Sequence, residues 1–151
     1  MLSLTGQESI NQWMRILYPC RISLNSVCPV NSPMDVFKTF SIEAARSLPN
    51  LPDGHPCKNV HGHSFKITIT VSGNVNTHTG FVMDFVDIDT AFGPLGKQID
   101  HSYLNDIEGL ENPSSEILCK WIWAKLLPAL PGLSRIEIRE TDSTGCIYKG
   151  D

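Results

Sequence analysis

From His61 to Val71 the chain alternates without a break, with His, His, Phe, Ile, Ile and Val on the odd positions and Gly, Ser, Lys, Thr and Thr on the even ones. A period of two sustained this long is a β-strand with one buried face. His61 and His63 share the parity of Phe65, Ile67 and Ile69, so both imidazoles face the core side, about 6.5–7 Å apart at Cα. Two imidazoles there are either polar residues satisfied by their neighbours or two ligands converging on one cation. Zinc suits the second reading. Nitrogen binds it at about 2.0–2.1 Å, and a catalytic site takes three protein ligands with one position left open. The third ligand has to come from elsewhere.

The remaining segments can supply a fold around this strand. At 151 residues the chain fits one domain. A net charge of -4 leaves no basic footprint for nucleic acid. Five cysteines without a Cys-x-x-Cys pair or a secretory leader fit reduced thiols in a cytoplasmic protein, and no apolar run approaches the ~18 residues of a membrane span. Residues 1–33 carry few charges and no strand alternation and end in Cys28-Pro29-Val30-Asn31-Ser32-Pro33, so they read as an N-terminal extension of irregular structure. One short helix fits residues 7–17, and Met34 would itself be a natural chain start.

Val36, Phe40, Ile42 and Ala44 put a first strand on one apolar face, with Arg46 on the same parity. A proline-rich loop leads from Leu48 to Cys57. After the long strand, the turn-forming residues 73–80 predict a hairpin returning as Phe81–Phe85. Asp84 and Asp87 then open a helix carrying Ile88, Phe92, Leu95 and Ile99, with a kink expected at Gly93-Pro94. Ser114 caps a second helix striped by Ile117, Leu118, Trp121, Ile122 and Leu126. The last alternation sets Glu140 on the apolar side with Ile136 and Ile138. A carboxylate there costs several kcal/mol unless paired. Either a buried arginine answers it, or it awaits a ligand with two parallel N–H donors.

Five blocks in order carry a resemblance. Phe40-Ser41-Ile42-Glu43-Ala44-Ala45, Gly54-His55-Pro56-Cys57 with His61-Gly62-His63-Ser64, Asp100-His101 with Tyr103-Leu104-Asn105-Asp106, Glu111-Asn112-Pro113-Ser114-Ser115-Glu116, and Glu140-Thr141 together resemble the 6-pyruvoyl-tetrahydropterin synthase family. His78-Thr79-Gly80, Leu110-Glu111-Asn112-Pro113 and Gly145-Cys146-Ile147-Tyr148 look most like its 6-carboxytetrahydropterin synthase branch, which serves queuosine biosynthesis. The resemblance implies an α+β tunnelling fold over residues 34–151, ordered β-β-α-α-β-β, with an antiparallel four-stranded sheet and two helices on one face. It also implies a homo-oligomer with sites between subunits. The implied reaction converts 7,8-dihydroneopterin triphosphate to 6-carboxytetrahydropterin, acetaldehyde and triphosphate. The other branch, 6-pyruvoyl-tetrahydropterin synthase, eliminates triphosphate without breaking the carbon chain.

The resemblance also implies roles. Zinc on His61 and His63 would acidify the substrate hydroxyls, Cys57 would accept a proton, Asp100 and His101 would relay protons, and Glu140 with Thr141 would bind the pterin edge. Cys20, Cys28 and Cys119 match no functional position.

One position departs from the pattern. The family has a zinc-ligating His directly after Glu-Ala-Ala, and this chain has Arg46. Arginine stays protonated and cannot ligate. About 4 Å from a divalent ion it would add roughly 8 kcal/mol of repulsion at an effective dielectric near 20. Either zinc survives on His61, His63 and a substitute such as His55, or the metal is lost, the arginine meets the substrate's phosphates, and the chain is an impaired pterin-binding relative.

Overall fold

The computed structural model describes residues 32–150. The expected helix over residues 7–17, Cys20, Cys28 and most of the expected extension lie outside the described residues.

Two long strands form the centre. β1 (Met34–Arg46) and β2 (His61–Gly73) pair antiparallel over their whole length, with Ile42 opposite Phe65, Ala44 opposite His63 and Arg46 opposite His61. The apolar parity holds on both. Phe65, Ile67, Ile69 and Val71 are sealed from solvent together with Ile42 and Ala44. Arg46, which shares that parity, is 2% exposed.

β2 pairs on its other edge with β4 (Leu133–Arg139), which pairs in turn with β5 (Gly145–Tyr148). With both edges of β2 occupied, no edge is left for the expected return strand over residues 81–85. Asn76 Oδ1 instead accepts the N–H groups of His78 and Thr79, Gly80 takes a left-handed φ of 76°, and Asp84 accepts the Val86 N–H as the N-cap of a helix.

That helix, α1 (Phe85–Ile99), buries Ile88, Phe92, Leu95 and Ile99 as their spacing predicts, and it contains Pro94 rather than ending there. α2 (Ser115–Leu126) starts at the predicted Ser114 cap. Its buried stripe keeps Leu118, Ile122 and Leu126, but Ser115 and Cys119 are also inside, Trp121 is half-buried and Ile117 is exposed. The helices and the apolar sheet residues form one core.

The sheet has five strands in the order β3-β1-β2-β4-β5, where four antiparallel strands were expected. The addition is β3 (Ser102–Tyr103), which runs parallel to β1 at Ala44 and Ala45. Two residues carry no periodic signal in a sequence. The α+β architecture otherwise stands as expected. Among the described residues no helix is long and apolar enough to cross a membrane.

Candidate functional site

The adjacent ends of β1 and β2, the N-terminal end of α2 and the exit of β4 meet at one place, and cross-strand register decides what meets there. Arg46 and His61 are direct partners. His61 Nδ1 lies 2.9 Å from the carbonyl oxygen of Asn59. A carbonyl can only accept, so Nδ1 carries the proton and Nε2 carries the lone pair. Arg46 Nε–H donates to that Nε2 at 3.4 Å.

The rest of the guanidinium is spent inward. Nη1 donates to the Pro113 carbonyl at 3.1 Å and to Ser115 Oγ at 3.3 Å, Nη2 donates to Glu140 Oε1 at 2.6 Å, and the group lies over the Phe65 ring, 5.2 Å from its centroid. Ser115 Oγ donates to the same Glu140 oxygen. So the carboxylate on the apolar side of the chain is answered by a buried arginine, the first of the two arrangements open from sequence. Glu140 Oε2 is left 3.6 Å from His63 Nε2.

The titrations follow from this packing. Burial pushes the Glu140 carboxyl up, but the Ser115 and Arg46 hydrogen bonds and the Arg46 charge outweigh it and hold Glu140 below its ordinary value. Burial also lowers His63, helped by Arg46 and His61 and opposed by Glu140.

The implied zinc can be tested against these side chains. A metal on His61 would take the Nε2 lone pair at about 2.0–2.1 Å, and that lone pair already faces the Arg46 N–H. His55 is not a substitute, since its Nδ1 accepts the Cys57 N–H at 3.2 Å as the cap of the 3-10 turn Pro56–Lys58. Among the described residues no three His, Cys, Asp or Glu side chains converge to hold an ion. The residues present do not fit zinc. Nor does Arg46 extend toward a phosphate in solvent, because its side chain is 3% exposed.

Of the other expected site residues, Cys57 and His101 line two different clefts. Cys57 shares a cleft of about 290 Å³ with Arg46, Ser115 and Glu140. His101 lines a second, of about 570 Å³, with Glu43, His63 and Tyr103. Asp100 Oδ1 accepts the Glu43 N–H at 3.0 Å and its Oδ2 lies 3.0 Å from His101 Nδ1, which together hold Asp100 below the usual carboxylate range. His101 has a left-handed φ of 53° and an exposed ring. Thr141 spends its hydroxyl on the turn between β4 and β5, accepting the N–H groups of Ser143 and Thr144. Ser115 and the Pro113 carbonyl, which no sequence argument singled out individually, complete the cage around Arg46. Their only signal was the block Asn112-Pro113-Ser114-Ser115.

A family model described as 6-pyruvoyl tetrahydropterin synthase matches residues 35–151. The chain is 42% identical over 119 residues to a 6-carboxy-5,6,7,8-tetrahydropterin synthase of Synechocystis sp., covering 75% of this chain and 91% of that one. It is 36% identical over 103 residues to an Archaeoglobus fulgidus protein named as a candidate for the same activity, covering 68% and 84%. Among solved structures, the 6-pyruvoyl tetrahydropterin synthase of Caenorhabditis elegans superposes with a TM-score of 0.73 at 24% identity, over 80% of this chain and 97% of that one.

Proposed function

Because the chain belongs to the 6-pyruvoyl tetrahydropterin synthase family, we propose that it is a carbon–carbon lyase acting on a dihydropterin, of the 6-carboxytetrahydropterin synthase type. The reaction takes 7,8-dihydroneopterin triphosphate and water to 6-carboxy-5,6,7,8-tetrahydropterin, acetaldehyde and triphosphate, a step toward queuosine in the cytoplasm. Support for this branch comes from the names of the Synechocystis and Archaeoglobus relatives.

The observation that carries the reading in the structure is the cleft shared by Cys57, Ser115 and Glu140. Glu140 holds the aminopyrimidine edge of the pterin. Its Oε1 is fixed by Ser115 and Arg46, and its Oε2 is the oxygen left to accept from the ligand. Cys57 takes a proton from the substrate side chain at the same cleft. Asp100 orients His101, whose exposed ring passes protons. Since His101 lines the other cleft of its own chain, the complete site draws on two subunits of a homo-oligomer. The sheet edges support that assembly: among the described residues β3 and β5 each pair with a single strand, and Ile147 on β5 is 55% exposed. Residues 34–151 are the pterin synthase-like domain. No step is assigned to zinc, and the engaged His61 lone pair favours slow turnover.

The test is to supply 7,8-dihydroneopterin triphosphate and measure acetaldehyde and triphosphate. Equal release of both is expected. Triphosphate release with a 6-pyruvoyl product and no acetaldehyde would move the chain to the sister branch. A chain that neither consumes nor binds the dihydropterin overturns the proposal.

A further inference from the structure

Charge, tautomer and burial at the strand mouth all bear on one question, which is what cation this pocket is built to hold. His61 is held in the tautomer a metal ligand needs, with Nδ1–H on the Asn59 carbonyl and the Nε2 lone pair directed inward. His63 stands edge-on to it with ring centroids 5.2 Å apart, and the Glu140 carboxylate closes the third side. A carboxylate flanked by two imidazoles favours one positive charge beside it, although the three do not converge closely enough to chelate an ion.

The charge is already present and covalently attached. Arg46 is buried, and its hydrogen bonds to His61, Pro113, Ser115 and Glu140 use four of the five N–H groups a guanidinium has. Displacing it for an ion would strip these bonds and strand a buried guanidinium beside a dication. Arginine, unlike lysine or histidine, has no deprotonated form in which to make room.

We propose that Arg46 is the resident cation of this site, standing where relatives' resemblance implies a metal, so that the pocket is organised by a guanidinium and refuses a divalent ion. The proposal rests on the family reading for what the pocket descends from, but its physical content concerns only these side chains. It has a consequence for the ligand. A guanidinium offers N–H donors and accepts no lone pairs, so a substrate hydroxyl here can be hydrogen-bonded but not acidified by coordination. Ligand binding through Glu140 is therefore indifferent to chelators.

The experiment titrates the purified full chain with Zn²⁺ and, as a spectroscopic probe, Co²⁺, which absorbs in the visible when held tetrahedrally by imidazoles. Arg46→His, His61→Ala and the two combined are titrated alongside. The native chain is expected to show no imidazole-type Co²⁺ spectrum and to bind Zn²⁺ at least about a hundredfold more weakly than Arg46→His. The added His61→Ala should remove what Arg46→His gains. One zinc per native chain, bound tightly and lost in His61→Ala, would overturn the proposal by showing that the arginine swings aside. That native titration decides the matter even if Arg46→His does not fold. It also needs no substrate, so a chain that fails to turn over the dihydropterin leaves the metal result readable.

Discussion

Two acid–base pairs hang from the same end of β1, and they do opposite things. Arg46 meets Glu140 at 2.6 Å, and His101 meets Asp100 at 3.0 Å. By distance they are alike. The first pair is enclosed, with the arginine side chain 3% exposed and further partners on three sides, whereas the His101 side chain is 78% exposed and tied mainly through Asp100. Solvent makes the difference, because a charge in water loses little when its partner goes, while a buried one is left uncompensated. The enclosed pair therefore belongs to the fold as much as to the site, and the open pair is free to serve a reaction.

The strongest way to break this comparison is Glu140→Gln, which keeps the side-chain shape and removes the counter-charge. It should cost about 3 kcal/mol of stability, at the low end for a broken buried pair because Glu140 is partly exposed. Denaturant unfolding measures it, and a loss below about 1 kcal/mol would place the pair with ordinary surface bridges. Arg46→Met combined with Glu140→Leu should recover most of the loss, since replacing both members with apolar groups leaves no orphaned charge.

A milder perturbation is acid. Glu140 is held below its ordinary value, so the stability its ionised form contributes is fully present above the carboxylate range of the unfolded chain. It is lost as pH falls below that range and through the lowered folded value. The stability gap between the native chain and Glu140→Gln should hold constant from neutrality down to that range and then shrink. A gap that persists unchanged into strong acid would mean the charge was not what the arginine required.

Much of this was legible in the sequence because it is periodic. Parity alone set His61, His63, Arg46 and Glu140 on the core side, and the structure keeps all four at the strand mouth. What parity cannot supply is pairing across distance. Glu140 had two possible partners on paper, and its choice of Arg46, 94 positions away, follows from strand order, since β2 brings β1 and β4 to its two edges. The same occupied edges explain why residues 81–85 do not form a strand. β3 escaped notice because it has two residues and is defined only by its neighbour β1. The division of Cys57 and His101 between clefts was equally invisible, since both sit in loop-rich segments whose spacing carries no geometry.

The smallest expected effect on stability comes from the open pair, and it is the most informative about function. His101→Asn removes a ring that is mostly in solvent, so the melting temperature should not change measurably. Turnover of the dihydropterin should nonetheless fall by about 10²-fold or more, the usual worth of a proton-transfer group. Cys57→Ala should lose turnover likewise. Each variant alone is inactive for a different cleft, which permits a test of whether one site is built from two chains. If Cys57 of one subunit works with His101 of another, inactive Cys57→Ala and His101→Asn chains unfolded and reassembled together will form some interfaces where both native residues meet, and activity will return. If both residues serve a site within a single chain, the mixture stays as dead as its parts. Recovered turnover that scales with the fraction of mixed interfaces would assign the exposed pair to a neighbour's reaction, while the enclosed pair stays with its own fold.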